Sequence, residues 1–198
     1  KYAIKNLSLY LIIAYIIGYV IQFTSPEMYS FLLFNPYMIL HGEVWRIFTW
    51  ILVPPEGFGI FTIIMLLLYY QLGQGLEHTW GTYRYNVYMF SGIIFTVVGA
   101  FILYGLLLLL YYVGIVSGDM LGGMMLGSFF NPEACLGTVI SLCVSTYYIN
   151  MSIFLAYAAT YPEEQLLLYF IVPIKIKWFG FLYGAYIIFE IFEAFKYG

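Results

Sequence analysis

Residues 85–118 read YNVYMFSGIIFTVVGAFILYGLLLLLYYVGIVSG, 34 positions between Arg84 and Asp119 without a charged side chain. A bilayer core of ~30 Å is crossed by ~20 apolar residues rising 1.5 Å each, so one straight helix here would reach ~51 Å. Part of it must leave the hydrocarbon or tilt steeply. Working outward, Asn6–Pro26, Gly57–Leu76 and Ala134–Pro162 are also free of charge and long enough to cross. A fifth stretch, Trp178 to about Phe195, is uncharged as far as Phe189 and then carries Glu190 and Glu193. The composition agrees: 64% hydrophobic, 22% aromatic and 9% charged, whereas a soluble domain is nearer ~45–50% apolar and ~25% charged. The expectation is an integral membrane protein of the all-α class, a polytopic helical bundle. It forms a single domain over 1–198, with spans at about 6–24, 57–76, 85–114, 138–161 and 178–196.

Whole classes of function fall away. Seven Lys and Arg against ten Asp and Glu give a net charge of −3 with no basic run, so a nucleic-acid surface has no electrostatic footprint. Cys135 and Cys143 show neither a CxxC nor a Cys/His pattern, which argues against a zinc site or a disulfide framework and for packing roles. No metal and no cofactor is implied. The sequence opens at Lys1 rather than at a methionine and carries no cleavable signal pattern, and it is read as a piece of a longer chain.

Orientation follows the few positive charges. With a cytoplasmic N-terminus, Lys1, Lys5, Arg84, Lys175 and Lys177 lie inside and Arg46 lies outside, with Lys196 at the outer end of the fifth span. The acidic loop holding Asp119 and Glu133 would then be outside as well. In a bacterial source this would place the chain in the plasma membrane. Between the first two spans, residues 25–56 are too apolar for a solvated loop, and Asn35-Pro36 and Pro54-Pro55 punctuate them. The expectation is a partly membrane-embedded loop built of short helices. A short polar turn from Glu77 to Arg84 makes the second and third spans antiparallel neighbours. Past it, Gly114, Gly118 and Gly122 either share a helix face for close packing or belong to a loose glycine-rich loop. The apolar run Leu166 to Ile174, too short to cross, is expected along the interface.

Ionisable groups within or beside spans are costly, which makes them candidates for function. Arg46 follows Trp45 inside the apolar loop, where it needs partners such as Glu43 or backbone carbonyls. It either pins the loop or handles a ligand. Glu77 closes the second span, and Gly73 and Gly81 flank it at four-residue spacing. On a helix the three share a face, placing a carboxylate between two points of close approach.

Trp45-Arg46 in the first long loop, followed by Leu72-Gly73-x-x-Leu76-Glu77-x-x-x-Gly81, resembles the rhomboid superfamily of intramembrane serine proteases and their inactive relatives, derlins among them. The run Ile171 to Trp178 before the fifth span is similar too. The likeness extends from Asn6 to the end of the chain, though its sharp motifs amount to about a dozen residues. It implies a rhomboid-like bundle whose sixth span lies beyond Gly198.

Active rhomboids pair a Gly-x-Ser-Gly nucleophile on the fourth span with a histidine on the sixth, and the second span adds a His-x-x-x-Asn to the oxyanion hole. Counting back from Glu77, that His and Asn would fall at Phe61 and Met65, neither of which donates a hydrogen bond. The nucleophile position reads Asn150-Met151-Ser152-Ile153, with the serine kept and both glycines gone. The two histidines, His41 in the outer loop and His78 at the inner end of the second span, are both misplaced to serve as base. Ser152 is thus read as an ordinary helix hydroxyl bonded one turn back, catalytic only if a base comes from beyond Gly198.

Twenty-two tyrosines fit aromatic belts at the membrane surface. Tyr147, Tyr148 and Asn150, just ahead of Ser152, are the alternative: a polar cavity open to the outside. The expectation from these readings is a rhomboid-like pseudoprotease that lives in the lipid bilayer and binds or handles transmembrane segments of client proteins. Its rivals are an active intramembrane serine protease with a non-standard site and a small transporter component.

Overall fold

The computed structural model describes residues 3–114 and 131–162 and two short strands, 165–168 and 172–175. Helix α1, Leu7–Thr24, stops where Ser25 meets Pro26, because a proline ring pushes the preceding residue out of the helical region. The loop that follows is built of short helices as expected: α2 (Pro26–Ser30), α3 (Pro36–Leu40) and α4 (Arg46–Thr49), which runs on into a 3-10 turn, Trp50–Leu52. Each of the first two opens on a proline, whose missing N–H costs nothing in a first turn. Phe34 and Trp50 are almost fully buried and meet edge to face at 6.4 Å, so this loop carries part of the core.

Helices α5 (Ile60–Trp80) and α6 (Thr82–Tyr112) are joined by Gly81 alone. This one-residue link turns α6 back beside the end of α5, where Trp80 meets Tyr88 edge to face at 5.4 Å, as antiparallel neighbours of the kind the sequence suggested. Helix α1 runs antiparallel to α5 as well. Its start meets the end of α5 through Asn6 and Glu77, while its far end meets the approach to α5 through Tyr19, whose hydroxyl donates to the Glu56 carbonyl. Helix α6 is continuous over 31 residues, about 46 Å at 1.5 Å per residue. Only 11% of its most apolar window is buried inside the protein, so most of its surface faces the membrane.

The fourth span departs from the expected 138–161. A helix begins earlier, at α7 (Pro132–Cys143), breaks at Val144–Ser145, and resumes as α8 (Thr146–Thr160). Asn131 caps the first piece, accepting the N–H groups of Glu133 and Ala134, and Ser145 caps the second through the Tyr147 N–H. Both are polar side chains that satisfy exposed helix-start donors. Helix α7 packs on α3 and α6, and α8 packs on α5. Among the described residues, three stretches are long and apolar enough to cross a membrane: Leu7–Thr24, Thr82–Tyr112 and the interrupted Pro132–Thr160.

The rest of the described structure is a two-stranded antiparallel pair, β1 (Gln165–Leu168) with β2 (Val172–Lys175), so both ends of the run placed along the interface are extended beside an otherwise helical fold. Its Leu-rich and Val/Ile sequence suits strands. Gly114 has φ 82 and ends α6 as a turn, so it occupies no helix face with Gly118 and Gly122, which lie outside the described residues along with the fifth span. Cys135 is buried, but Cys143 is exposed rather than packed.

Candidate functional site

Three helices are tied together where α1 begins. Glu77, 8% exposed, accepts the Asn6 N–H on Oε1 at 3.1 Å. Asn6 sits at φ 57, in the left-handed region that asparagine tolerates better than most residues. One turn before Glu77, Gly73 faces the hydrogen bond that joins Ser8 Oγ of α1 to the Tyr85 hydroxyl of α6, 2.7 Å long. A Cβ at position 73 would overlap both side chains, so α5 can touch its two neighbours here only as glycine. Asn86 of α6 completes the junction, accepting the Ile4 N–H at 3.0 Å and donating to the Ile4 carbonyl at 2.8 Å.

Gly81 does a different job from the one its spacing suggested. It is not part of the α5 face but the link itself, at φ 83 with open space where a Cβ would be. Its requirement is conformational rather than steric. Around Lys5, Asn6, Gln74, Glu77, His78 and Thr82 lies an open cleft of about 230 Å³.

Arg46 pins the loop of short helices between α1 and α5. Its Nε donates to Glu43 Oε2 at 2.5 Å, and its Nη1 donates to the carbonyls of Ser30 at 2.7 Å and Leu33 at 2.9 Å. Only 6% exposed, the guanidinium also lies 5.6 Å from the centre of the Phe31 ring. These are the partners a buried arginine needs. Trp45 beside it is 47% exposed, whereas Trp50 is 1% exposed and donates from Nε1 to the Ile47 carbonyl at 3.0 Å. The motif tryptophan lies at the surface and the structural one comes five residues later.

Tyr147, Tyr148, Asn150 and Ser152 do not converge on one cavity. Asn150 is fully buried and donates to the Tyr15 hydroxyl of α1 at 3.0 Å, while Tyr148 is 58% exposed. Two residues apart on a helix, they point to opposite sides. Ser152 Oγ donates to the Ile149 carbonyl at 2.7 Å, one turn back, and the Ser152 carbonyl accepts the Tyr88 hydroxyl at 2.9 Å. Neither histidine is its partner: His41 bonds the Tyr37 carbonyl through Nδ1, and His78 is exposed at the end of α5. Among the described residues, no three His, Cys, Asp or Glu side chains group as metal ligands.

At the α7–α8 break the sequence reading named Asn150 but missed its neighbour Thr146. Thr146 Oγ1 donates to the Val53 carbonyl at 2.7 Å, bridging α8 to the loop between α1 and α5, and Asn150 Oδ1 is buried without a hydrogen-bond partner among the described residues. Ser145-Thr146 was a helix-start signal in plain sight, hidden because the charge-free interval ran straight through it.

One family model spans almost this entire arrangement: it is described as eukaryotic integral membrane protein (DUF1751) and matches residues 5–197. The chain belongs to the DUF1751 family of eukaryotic integral membrane proteins. Among curated proteins and among solved structures, nothing matches. Membership places this DUF1751 chain in a bilayer and in a eukaryotic lineage, so the expectation of a bacterial plasma membrane lapses. The match covers Arg46, the Glu77 junction and the broken helix alike.

Proposed function

We infer that this DUF1751 protein is a rhomboid-like pseudoprotease that binds transmembrane segments of client proteins without cutting them. The observation that carries the reading is the Ser152 hydroxyl, which is engaged by the carbonyl of its own helix while both histidines bond or face elsewhere. A serine without a positioned base is a poor nucleophile. The rhomboid likeness itself draws support from the two motif positions with concrete work: Arg46 holds the embedded loop and Glu77 holds the start of α1. Client engagement draws support from the apolar face of α6, including exposed Phe95, Ile102 and Leu106. A polar client residue, expensive in lipid, gains from any protein partner it finds there. A cytoplasmic N-terminus fits the reciprocal bonds between Ile4 and Asn86, which put Lys5 and Arg84 at one end of the bundle.

The test uses the full-length protein in liposomes, exposed to a serine-reactive fluorophosphonate and to a generic transmembrane substrate, with Ser152→Ala as control. No labelling and no cleavage in either protein is expected, while an active rhomboid cuts in parallel. Labelling that vanishes in the Ser152→Ala protein would overturn the reading.

A second reading, a small transporter component, is favoured by one feature: a helix broken at Val144–Ser145 beside the buried Asn150 with its unpartnered Oδ1. Transporters place substrate sites on such interrupted helices. Solute uptake into proteoliposomes that is abolished by Asn150→Leu would establish it.

A further inference from the structure

The fourth span is interrupted well inside its own length. Helix α7 ends at Cys143 and α8 begins at Thr146. Two hydrogen bonds from α6 fix the level of this break. The Tyr104 hydroxyl donates to the Glu133 carbonyl at 3.2 Å, and the Tyr88 hydroxyl donates to the Ser152 carbonyl at 2.9 Å. The break lies between these ties, which stand about 24 Å apart along α6 at 1.5 Å per residue. That places it at the depth of the apolar phase, away from either surface.

Its two helix ends are unequally satisfied. On the α8 side, Ser145 accepts the Tyr147 N–H on Oγ and the Tyr148 N–H on its carbonyl. On the α7 side, the last bond runs from the Val144 N–H to the Ile140 carbonyl at 2.9 Å. Among the described residues, the carbonyls of Ser141, Leu142 and Cys143 accept no hydrogen bond. Hydrocarbon supplies no donor, so unpaired carbonyls at this depth have to be met by protein or by water.

The side chains around the break decide between the two. Leu142 is 77% exposed, Tyr148 is 58% exposed and Cys143 is exposed as well, whereas the polar Ser141, Thr146 and Asn150 are buried. An aqueous passage would show the opposite arrangement. The open side of the break is therefore lipid-facing, with three free acceptors and the negative end of the α7 dipole beside it.

We propose that a client transmembrane helix docks at the α7–α8 break, and that the clients selected there carry an N–H donor such as lysine at mid-span. This rests on the client-binding reading above and adds to it a place and a chemical preference. A lysine at the bilayer centre is penalised by lipid, and its long stem lets the ammonium reach carbonyls on a neighbouring helix. A side chain that only accepts hydrogen bonds gains nothing from them.

The experiment uses the full chain in liposomes with model transmembrane peptides that differ only in a central lysine, norleucine or methionine sulfoxide, the last an acceptor without a donor. Binding is read by fluorescence energy transfer, and a peptide cysteine one turn from the centre is offered to Cys143 for disulfide formation. The lysine peptide is expected to bind about tenfold more tightly than the other two, the scale of one charge-assisted hydrogen bond, and to crosslink to Cys143. Prior alkylation of Cys143 with a bulky maleimide should bring the lysine peptide down to the level of the norleucine peptide. Equal binding of the lysine and norleucine peptides would overturn the docking assignment and leave client binding standing, whereas binding of none would overturn both. A lysine preference that survives alkylation would overturn the assignment, and so would a Cys143 that maleimide leaves unmodified, because the break would then be covered already.

Discussion

Replacing Gly73 with alanine tests whether the three-helix junction is fixed by one missing methyl. A Cβ at this position would overlap the Ser8 side chain and the Tyr85 hydroxyl. Forced overpacking costs about 1–3 kcal/mol. If the 2.7 Å Ser8–Tyr85 bond is broken to make room, two buried hydroxyls lose a partner and about 1–3 kcal/mol more is lost. Alanine returns about 1 kcal/mol through its better helix propensity. The net destabilisation is about 1–5 kcal/mol, with the middle of the range near ~3 kcal/mol. At ~2–4 °C per kcal/mol for a chain of this size, the midpoint should fall by ~6–12 °C. The assay is thermal unfolding in mild detergent, and it includes Ser8→Gly, which removes the side chain in the way. The double variant should recover at least about half of the loss in Gly73→Ala, a coupling above ~1.5 kcal/mol. Strict additivity of the two substitutions would refute the argument, since it would mean the helices do not meet at position 73.

Arg46→Lys keeps the charge but not the fork that reaches Glu43, Ser30 and Leu33, so a loss of about 2–4 kcal/mol and faster proteolysis within residues 25–56 are expected. Trp50→Ala empties a nearly closed site in the loop and should cost about 3–5 kcal/mol, whereas Trp45→Ala, at the surface, should stay within ~0.5 kcal/mol in the same melt. Asn150→Leu takes away one of the two side-chain partners of the buried Tyr15 hydroxyl and leaves Thr146, so it should cost about 0.5–1.5 kcal/mol, while pairing it with Tyr15→Phe should restore most of that stability. A double variant no more stable than Asn150→Leu alone would show that the bond is not what holds α1 to α8.

The elements legible in advance are those written in charge. An interval without Lys, Arg, Asp or Glu delimits α1 to within a residue or two, and a lone arginine in an apolar loop announces that carbonyls are being gathered around it. Of the prolines read as punctuation, Pro36 opens a loop helix and Pro54-Pro55 opens none, while Pro26 opens one that the reading did not place. What stayed hidden depends on distance along the chain. Nothing local pairs Glu77 with Asn6 or Asn150 with Tyr15, which lie 71 and 135 positions apart. Spacing alone also misassigned Gly81, because a glycine four residues after Glu77 continues the helical face on paper but ends the helix in space. Trp50 was overlooked for the opposite reason: in so apolar a loop, burial cannot be ranked by hydrophobicity, and a tryptophan that anchors a surface looks the same as one that fills a core.

The single-residue link at Gly81 has a bearing on biosynthesis. With no spacer between them, α5 and α6 gain most by entering the bilayer together as a hairpin, its turn held at the same end of the bundle as Ile4 and Asn86. Gln74, Glu77 and His78 beside that turn, groups that hydrocarbon penalises, therefore stay at the end of the bundle where the chain begins. The donor for Glu77 belongs to α1, which leaves the ribosome first. The start of α1 thus acts as an intramolecular receptor for the hairpin that follows it, and a chain whose first span is misplaced would leave Glu77 without that donor.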